Sequence, residues 1–410
     1  MLSSWAGGLL RFHLNETVRT LVGLYVPSAL VSFGQGMLVP ITPALASEFD
    51  VPLGLAAQVF GANLLGRLVL MIPAGYLVDR YGSRSAMISG PIIIVACAVI
   101  TLITPNFWLL LTAQFIAGGG SGLWQLGREL IAVDLVSAGA RGRVMSIFIG
   151  VSTAGVAIGP LLGGFINDII GYRGVFAVAL GMAIVVMLIS FAVAGEGKAI
   201  ERVAQPSWSL GGISEIDPMF RATYLALIFC TLAATLRQTV STAMLPLYAG
   251  SELGYSSTEI GILFGIMGFT NLAVLGIAGW VSDEWGRKAA VVPAAALGAI
   301  GFLIFPLSSN FMVLAVNCVL MGVASGFAMG SMTIYTYDIV PPQARGRLQS
   351  LRRVVGQTSG TLGPIIGGVI ASVTSPSVVF LVFAPFLVAS ALLVGLVARE
   401  SAGKRVASEG

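Results

Sequence analysis

Charged side chains stand inside long apolar stretches of this sequence, where topology alone does not require them. They are Arg67, Arg128, Arg237 and Arg353, and Glu129 is the only carboxylate well inside such a stretch. An ionised side chain at bilayer depth costs about 2.5–3.5 kcal/mol on insertion scales, so such residues generally face a cavity or a partner. The arginines are therefore predicted to line a chamber for a solute with an anionic part. The alternative is that some of them pair with each other or with carbonyl oxygens and are structural.

Uncharged polar side chains accompany these charges at helical spacing. Gln114, Ser121, Gln125 and Arg128 occupy positions i, i+7, i+11 and i+14, which lie on one stripe of a helix. Aromatic side chains near the stripes would accommodate an apolar body. The predicted cavity residues are Gln35, Asn63, Arg67, Gln114, Trp124, Gln125, Arg128, Arg237, Gln238, Asn271, Tyr335, Arg353 and Gln357.

Glu129 is the first candidate for exchanging a proton. Burial favours the protonated form of a carboxylate, and an adjacent cation such as Arg128 favours the ionised form. A balance between the two would let the proton leave or bind as solute or conformation changes. A permanent ion pair is the equally weighted alternative. Asp338, at the inner end of another apolar stretch, is a second and weaker candidate.

Composition excludes most other classes of protein. Of the 410 residues, 56% are hydrophobic and only 10% are charged, whereas soluble domains carry about 25% charged residues. His13 is the single histidine, and Cys97, Cys230 and Cys318 lie far apart, so no metal site, cofactor or disulfide framework is expected. A net charge of +4 is too small to indicate nucleic acid. No nucleophile–base pair points to an enzyme, and no GxxxxGK[ST] loop points to ATP.

Apolar runs of about 20 residues predict the membrane crossings. The first six runs are 20–44, 55–78, 86–104, 107–131, 144–166 and 174–194. The second six runs are 220–247, 258–281, 289–307, 310–337, 348–370 and 377–398. We therefore predict an all-α polytopic membrane protein with twelve transmembrane helices. Its domains are an N-terminal six-helix bundle (1–194), a cytoplasmic linker (195–219) and a C-terminal six-helix bundle (220–410).

Lysine and arginine placement predicts the orientation. If the N-terminus is inside, Arg173 is the one basic residue in the outer loops, and all the other loop and tail basic residues are inside. Both termini are therefore predicted to be cytoplasmic, in a multi-pass protein of the plasma membrane. The first nineteen residues have no convincing cleavage site, so we expect an interfacial segment rather than a signal peptide.

The two halves of the chain repeat each other at a constant offset of 204 positions. Gly75-Tyr-Leu-Val-Asp-Arg-Tyr-Gly recurs from Gly279, and Gly159-Pro-Leu-Leu-Gly-Gly recurs from Gly363. An even number of helices separates equivalent positions, so the halves have the same orientation, a known transporter plan. Acids and bases recur together at the inner ends, which predicts a gate of exchangeable ion pairs. The predicted gate residues are Asp79, Arg80, Arg84, Asp134, Arg141, Arg143, Asp283, Arg345 and Arg347.

These repeated residues resemble the major facilitator superfamily over essentially the whole chain. The loop from Gly75 to Arg84 is similar to the family's G-x-L-a-D-R-x-G-R motif, and the fifth run is similar to the antiporter motif. The end of the first run, Gly34-x-Gly36-x-x-x-Pro40-x-x-Pro43, resembles the twelve-helix drug:proton antiporters. Glycines and prolines admit close helix packing or a pivot, and both alternatives stay open. The residues concerned are Gly155, Gly159, Pro160, Gly163, Gly164, Gly363 and Pro364.

The resemblance implies a secondary transporter that works by alternating access, with proton-coupled efflux of amphiphilic or drug-like organic compounds. Two departures from the family pattern support alternatives. Gln114 stands where the family's fourth-helix motif has an arginine, and the first run lacks the acid that many such antiporters carry, with Gln35 as its only strongly polar side chain. The first alternative is a uniporter or symporter of organic or lipid-like anions. The second is a non-transporting receptor or scaffold on the same fold. The expected partners are a small-molecule substrate, protons and the lipid bilayer, for a monomer that does not bind nucleic acid.

Overall fold

The computed structural model describes residue 23 and residues 25–135, 141–193 and 210–401, except the side chains of 72, 79, 129–135, 141–146, 149 and 210–212. The predicted proton carrier Glu129 and the predicted gate residues Asp79, Asp134, Arg141 and Arg143 therefore have side chains outside the described residues. The interfacial N-terminal segment and most of the predicted linker also lie outside them. These predictions stay predictions.

Helices dominate the described residues, and no strand occurs among them. In the N-terminal half they are α1 (Val26–Met37), α2 (Thr42–Glu48), α3 (Leu53–Ile103), α4 (Phe107–Leu135) and α5 (Arg141–Val193). In the C-terminal half they are α6 (Pro218–Leu247), α7 (Ser257–Glu284), α8 (Arg287–Ile304), α9 (Phe311–Ala328), α10 (Ser331–Ile339), α11 (Arg345–Val373) and α12 (Pro376–Val397). Short 3₁₀ segments cover Leu210–Glu215, Phe305–Leu307 and Pro342–Ala344, and a π-turn covers Tyr248–Glu252.

Two glycines divide the longest helices. Gly82 in α3 has a φ of 81° and Gly171 in α5 has a φ of 75°, a conformation that glycine adopts without the steric cost of a Cβ atom. At 1.5 Å per residue, α3 would be about 77 Å long if straight, far more than the roughly 30 Å hydrocarbon core. Each long helix therefore contains two of the predicted runs joined at a glycine.

The number of crossings is only partly supported. By length and hydropathy, nine helical segments in the described residues could cross a membrane, or ten if α1 and α2, bent by 52°, form one span. Gly150–Val193 counts once in that number although Gly171 divides it. Helix α4 does not qualify, because its glutamines and glycines make it less apolar. The predicted total of twelve stays a prediction.

The two halves meet along two helix pairs. Helix α5 packs on α7, and α3 packs on α11. The apolar core of the C-terminal half extends across this junction to Val39 and Ala57 of the N-terminal half. The repeat in the sequence is therefore also a repeat in space. Helix α5 of the N-terminal half packs on the C-terminal half, and α11 of the C-terminal half packs on the N-terminal half.

Candidate functional site: a cavity between the halves and its outer seal

A cavity with about 830 Å³ of empty space, part of it open to solvent, lies between the two halves, and we call it the inter-half cavity. Helices α3 and α4 line it from one side, and α6 and α11 line it from the other. Its lining residues are Leu64, Arg67, Leu68, Met71, Gly122, Gln125, Leu126, Thr235, Thr239, Arg353, Gln357, Gly360 and Thr361. The structure thus brings together Arg67, Gln125, Arg353 and Gln357 from the predicted cavity set.

The inter-half cavity is lined by two arginines and, among the described residues, by no carboxylate. Neither guanidinium has a carboxylate oxygen within 4.0 Å in the described part of the chain. The Nε of Arg67 is buried and makes no hydrogen bond to a described residue. A buried donor without a partner costs free energy. The cavity therefore offers a positive, under-satisfied surface to an anionic or strongly polar group.

Helix α11 turns its two adjacent arginines to different surroundings. Arg353 is exposed to the inter-half cavity. Arg352 donates through Nε to Gln349 Oε1 at 3.0 Å and through a terminal nitrogen to Thr333 Oγ1 at 2.9 Å, within the C-terminal half. The pair supplies a matched comparison, because one arginine reaches the cavity and its neighbour does not.

The other two predicted arginines lie inside their own bundles. Arg128 donates to Ser28 Oγ, and its guanidinium lies 4.2 Å from the ring centre of Trp124 and 4.4 Å from that of Phe148. Arg237 is buried and donates to Ser325 Oγ at 3.1 Å. These contacts engage the two arginines with hydroxyl groups and, for Arg128, with aromatic faces of the same half. The structure does not bring Arg128 or Arg237 to the inter-half cavity.

The remaining predicted cavity residues are spread over the molecule. Trp124 is buried in the N-terminal half and donates to Ser190 Oγ at 3.2 Å. Tyr335 is buried near the chain's C-terminal end, where it donates to the carbonyl oxygen of Arg399. Gln238 is exposed on α6, and Asn271 is half-buried on α7. Gln35, Asn63 and Gln114 line a separate cavity inside the N-terminal half.

An ion cluster holds the predicted inner end of the C-terminal half. Arg287 donates to Asp283 Oδ1 at 2.6 Å and to Asp338 Oδ2 at 2.9 Å. Glu400 accepts from the backbone N–H groups of Arg287 and Lys288 at 2.9 Å each, so it caps α8. The weaker proton candidate Asp338 is thus the partner of an arginine. Sequence reasoning placed Arg287 only in an inner loop, although it follows the repeated Asp-x-x-Gly pattern at Asp283.

Several predicted gate arginines have other partners. Arg347 donates to Glu215 at 2.8 Å, and the Arg345 guanidinium lies 5.9 Å from the ring centre of Tyr337. In the N-terminal half, the Arg80 guanidinium lies 5.4 Å from the ring centre of Tyr81, and Arg84 is exposed. Neither Arg345 nor Arg347 is brought to Asp283 or Asp338.

Close backbone contacts seal the predicted outer side of the inter-half cavity. A Cβ atom on Gly164 would overlap the carbonyl oxygen of Ser257, and one on Gly54 would overlap that of Gly368. Gly368 and Gly164 are equivalent in the repeat, so the seal consists of two similar contacts. We call the contact of Gly164 with Ser257 the first arm and the contact of Gly368 with Gly54 the second arm. The absence of side chains lets the backbones of the two halves touch.

The other predicted pivot residues divide between two roles. Gly155, Gly159 and Gly163 face α1 within the N-terminal half, where added Cβ atoms would crowd its backbone. The ring of Pro160 also faces Gly36 of α1, and its carbonyl oxygen faces Gly261 of α7 across the junction. In the second arm, Gly363 lies against α6 within its own half, and Pro364 lies beside Gly61 of α3.

Asp168 adds a polar latch to the first arm of the seal. Its carboxylate accepts from the backbone N–H groups of Ser257 at 3.2 Å and Thr258 at 2.8 Å, at the start of α7 in the other half. Asn167 donates to Ser257 Oγ at 2.9 Å. The first amides of a helix have no intrahelical partner, and a carboxylate there also interacts favourably with the helix dipole. Sequence reasoning missed Asp168; its only signal was an acid four residues after Gly164.

Two repeated helical halves around a polar cavity, closed at one side, define a polytopic membrane transporter rather than an enzyme. The chain belongs to the Major Facilitator Superfamily, whose sequence model matches residues 24–215 and 227–410. The predicted family resemblance and the all-α membrane fold are confirmed.

Relatives and a solved structure agree with this assignment. The chain is 22% identical over 354 residues to the tetracycline resistance protein, class H, of Pasteurella multocida, covering 85% of this chain and 88% of the relative. It is 22% identical over 304 residues to the multi-drug resistance efflux pump PmrA of Streptococcus pneumoniae, covering 72% and 74%. The crystal structure of a D-xylose-proton symporter superposes with a TM-score of 0.72 at 17% identity, covering 94% of this chain and 99% of the other. That last similarity concerns the fold alone.

Proposed function

We propose that the protein is a proton-coupled exporter of amphiphilic or drug-like organic compounds that carry an anionic or strongly polar group. The inter-half cavity carries this proposal. It presents Arg67 and Arg353 beside apolar side chains such as Leu68 and Met71. A compound with a polar head and an apolar body complements such a surface, because each part then keeps a favourable environment.

Alternating access accounts for the seal on one side of the cavity. With the predicted orientation, the closed side is the outer side, and the cavity corresponds to an inward-facing state. Opening the outer side requires the contacts of Gly164, Gly368 and Asp168 with the opposite half to break. The hydrogen bonds of Asp168 among these contacts are exposed or half-buried and can be exchanged for hydrogen bonds to water, which suits two states of similar free energy.

Efflux by exchange with protons is supported by the glycine motif of α5 and by relatives that bear tetracycline-resistance and multidrug-efflux names. In this scheme Glu129 is the proton carrier, with Asp338 the second candidate. The substrate is a small molecule, and the protein works as a monomer in the plasma membrane with both termini in the cytoplasm.

An anion uniporter or symporter is the second candidate function. It is favoured by the absence of a lining carboxylate among the described cavity residues and by the uncharged Gln35 and Gln114. A receptor or scaffold without transport is disfavoured, because an inert protein would gain stability by losing the buried Nε of Arg67, which has no hydrogen-bond partner among the described residues.

Transport into proteoliposomes separates these functions. An amphiphilic sulfonate dye is loaded with and without an imposed pH gradient, and its counterflow is recorded. We expect counterflow with the intact protein and a pH-driven flux if protons are exchanged. Counterflow without any response to pH would favour the uniporter, and no counterflow for any of a panel of organic anions and neutral amphiphiles would favour the scaffold.

Two substitutions connect this flux to the cavity. Arg67→Gln and Arg353→Gln should each reduce dye flux about tenfold, since a hydrogen bond to a charged group contributes about 1.5 kcal/mol. The matched control is Arg352→Gln, one residue away on α11 but engaged within its half. Equal loss in the control would show that the effect is structural.

A further inference from the structure

A second cavity lies wholly inside the N-terminal half, and we call it the N-bundle cavity. About 730 Å³ of empty space, part of it open to solvent, lies within its lining. Helices α1, α3, α4 and α5 line it, and none of its lining residues belongs to the C-terminal half. It shares no lining residue with the inter-half cavity. The two are therefore different sites.

The polar lining of the N-bundle cavity is uncharged. Gln35, Asn63, Gln114 and Ser121 line it, and every other lining residue is apolar. Asn63 donates to the Gln114 carbonyl oxygen at 3.3 Å, and the Gln114 carboxamide donates to Thr101 Oγ1 at 3.4 Å. Among the described residues the Gln35 carboxamide has no hydrogen-bond partner. The Gln35 carboxamide and the remaining donors and acceptors of the Asn63 and Gln114 carboxamides are therefore available to a ligand in this largely apolar cavity.

Such a lining selects against charge. An ion that enters a low-dielectric cavity loses its hydration, and this cavity supplies no opposite charge in return. A neutral group that both donates and accepts, such as an amide, can satisfy free carboxamides, which otherwise remain costly to bury. Phe176 and Met182 belong to the apolar wall, and methionine adapts easily to ligand shape.

One layer of helix separates the two cavities. Asn63 and Arg67 are one turn apart on α3, and Ser121 and Gln125 are one turn apart on α4; the first of each pair lines the N-bundle cavity and the second lines the inter-half cavity. A Cβ atom on Gly118 would overlap the carbonyl oxygen of Asn63, so the backbones of α3 and α4 touch here. The wall between the two cavities is therefore formed by these two helices.

We propose that the N-bundle cavity is a binding site for an uncharged aromatic compound with an amide-type hydrogen-bonding group, separate from the positively charged inter-half cavity. The site does not depend on the proposed export, because all of its lining residues belong to one half. A failure of anion transport would leave it standing.

Equilibrium binding to the full-length protein in nanodiscs tests the site. The probes are radiolabelled benzanilide, an uncharged aryl amide, and its carboxylate analogue 4-benzamidobenzoate. Benzanilide should bind saturably, and the carboxylate should bind at least tenfold more weakly when Arg67 and Arg353 are both replaced by glutamine. No saturable binding of benzanilide, or tighter binding of the carboxylate in that double variant, would overturn the proposal.

Variants locate the bound probe. Gln35→Leu and Gln114→Leu should each weaken benzanilide binding about fivefold, the effect of one neutral hydrogen bond. Ala179→Phe, which fills the cavity from α5, should abolish binding. Gln357→Leu in the inter-half cavity is the matched control and should leave binding unchanged. Unchanged binding in Gln35→Leu and Ala179→Phe, each checked for wild-type thermal unfolding, would refute the assignment, as would loss in Gln357→Leu.

Discussion

Asp168 carries the sharpest quantitative prediction, because its carboxylate joins the two halves across the outer seal. It accepts two backbone hydrogen bonds from the start of α7, at 3.2 and 2.8 Å. Charge-assisted hydrogen bonds contribute about 1.5–3 kcal/mol, and the exposure of Asp168 lowers this to about 1 kcal/mol each. Asn keeps one acceptor oxygen, so Asp168→Asn should cost the sealed state about 1 kcal/mol and Asp168→Ala about 2 kcal/mol.

These free energies convert to populations. A loss of about 1 kcal/mol raises the ratio of open to sealed outer sides about fivefold, and about 2 kcal/mol raises it about thirtyfold. Spin labels at Ser47 and Ser251, both exposed and on opposite halves, would report the separation of the outer ends by pulsed electron paramagnetic resonance. The long-distance fraction should increase in the order wild type, Asn variant, Ala variant.

A matched control lies on the same side of the protein. Glu252 accepts from the Ser377 N–H at 2.9 Å and so caps α12, but both residues belong to the C-terminal half. Glu252→Ala removes the same kind of interaction without touching the junction, so the distance distribution should not change. An unchanged distribution in Asp168→Ala, or an equal shift in the control, would refute the latch.

Three further predictions concern the seal, the ion cluster and the proton. Gly164→Ala should shift the same label distances toward the open state, because its Cβ would overlap the opposite backbone, whereas Gly150→Ala meets open space and should not. Arg287→Gln should lower stability by about 2–3 kcal/mol in thermal unfolding, because it removes the guanidinium that donates to the mostly buried carboxylate of Asp338, whereas the more exposed Arg347→Gln should cost at most about 1 kcal/mol. Glu129→Gln should abolish the pH dependence of dye flux while leaving counterflow intact.

Each of these has an outcome that contradicts it. If the Gly164→Ala protein stays sealed, α5 and α7 can move apart enough to accommodate the added Cβ atom without opening the outer side. Equal destabilisation by the two arginine variants would mean that burial does not distinguish the ion pairs. Retained pH dependence in Glu129→Gln would show that another carboxylate carries the proton, and Asp338 would be tested next.

Features that depend on composition and spacing can be predicted from the amino-acid sequence. The low fraction of charge determines a membrane fold, since a water-facing surface cannot be built from so few charged residues. The repeat from Gly159 to Gly363 determines two halves of like orientation, and Gly164 and Gly368 then meet the opposite half in equivalent ways. Arg67 and Arg353 are also unusual by their positions alone, because each interrupts an apolar run.

What the sequence could not determine is which neighbour each helix face meets. Helical spacing fixes the angles between side chains on one helix but not the rotation of that helix against its partners. Packing therefore decided that Arg67 and Arg353 share the inter-half cavity while Arg128 and Arg237 turn into their own bundles. It likewise brought Asp168 to amides about ninety positions away, a contact that no local pattern encodes, because only the close approach of two glycine-rich backbones puts those groups within hydrogen-bonding distance.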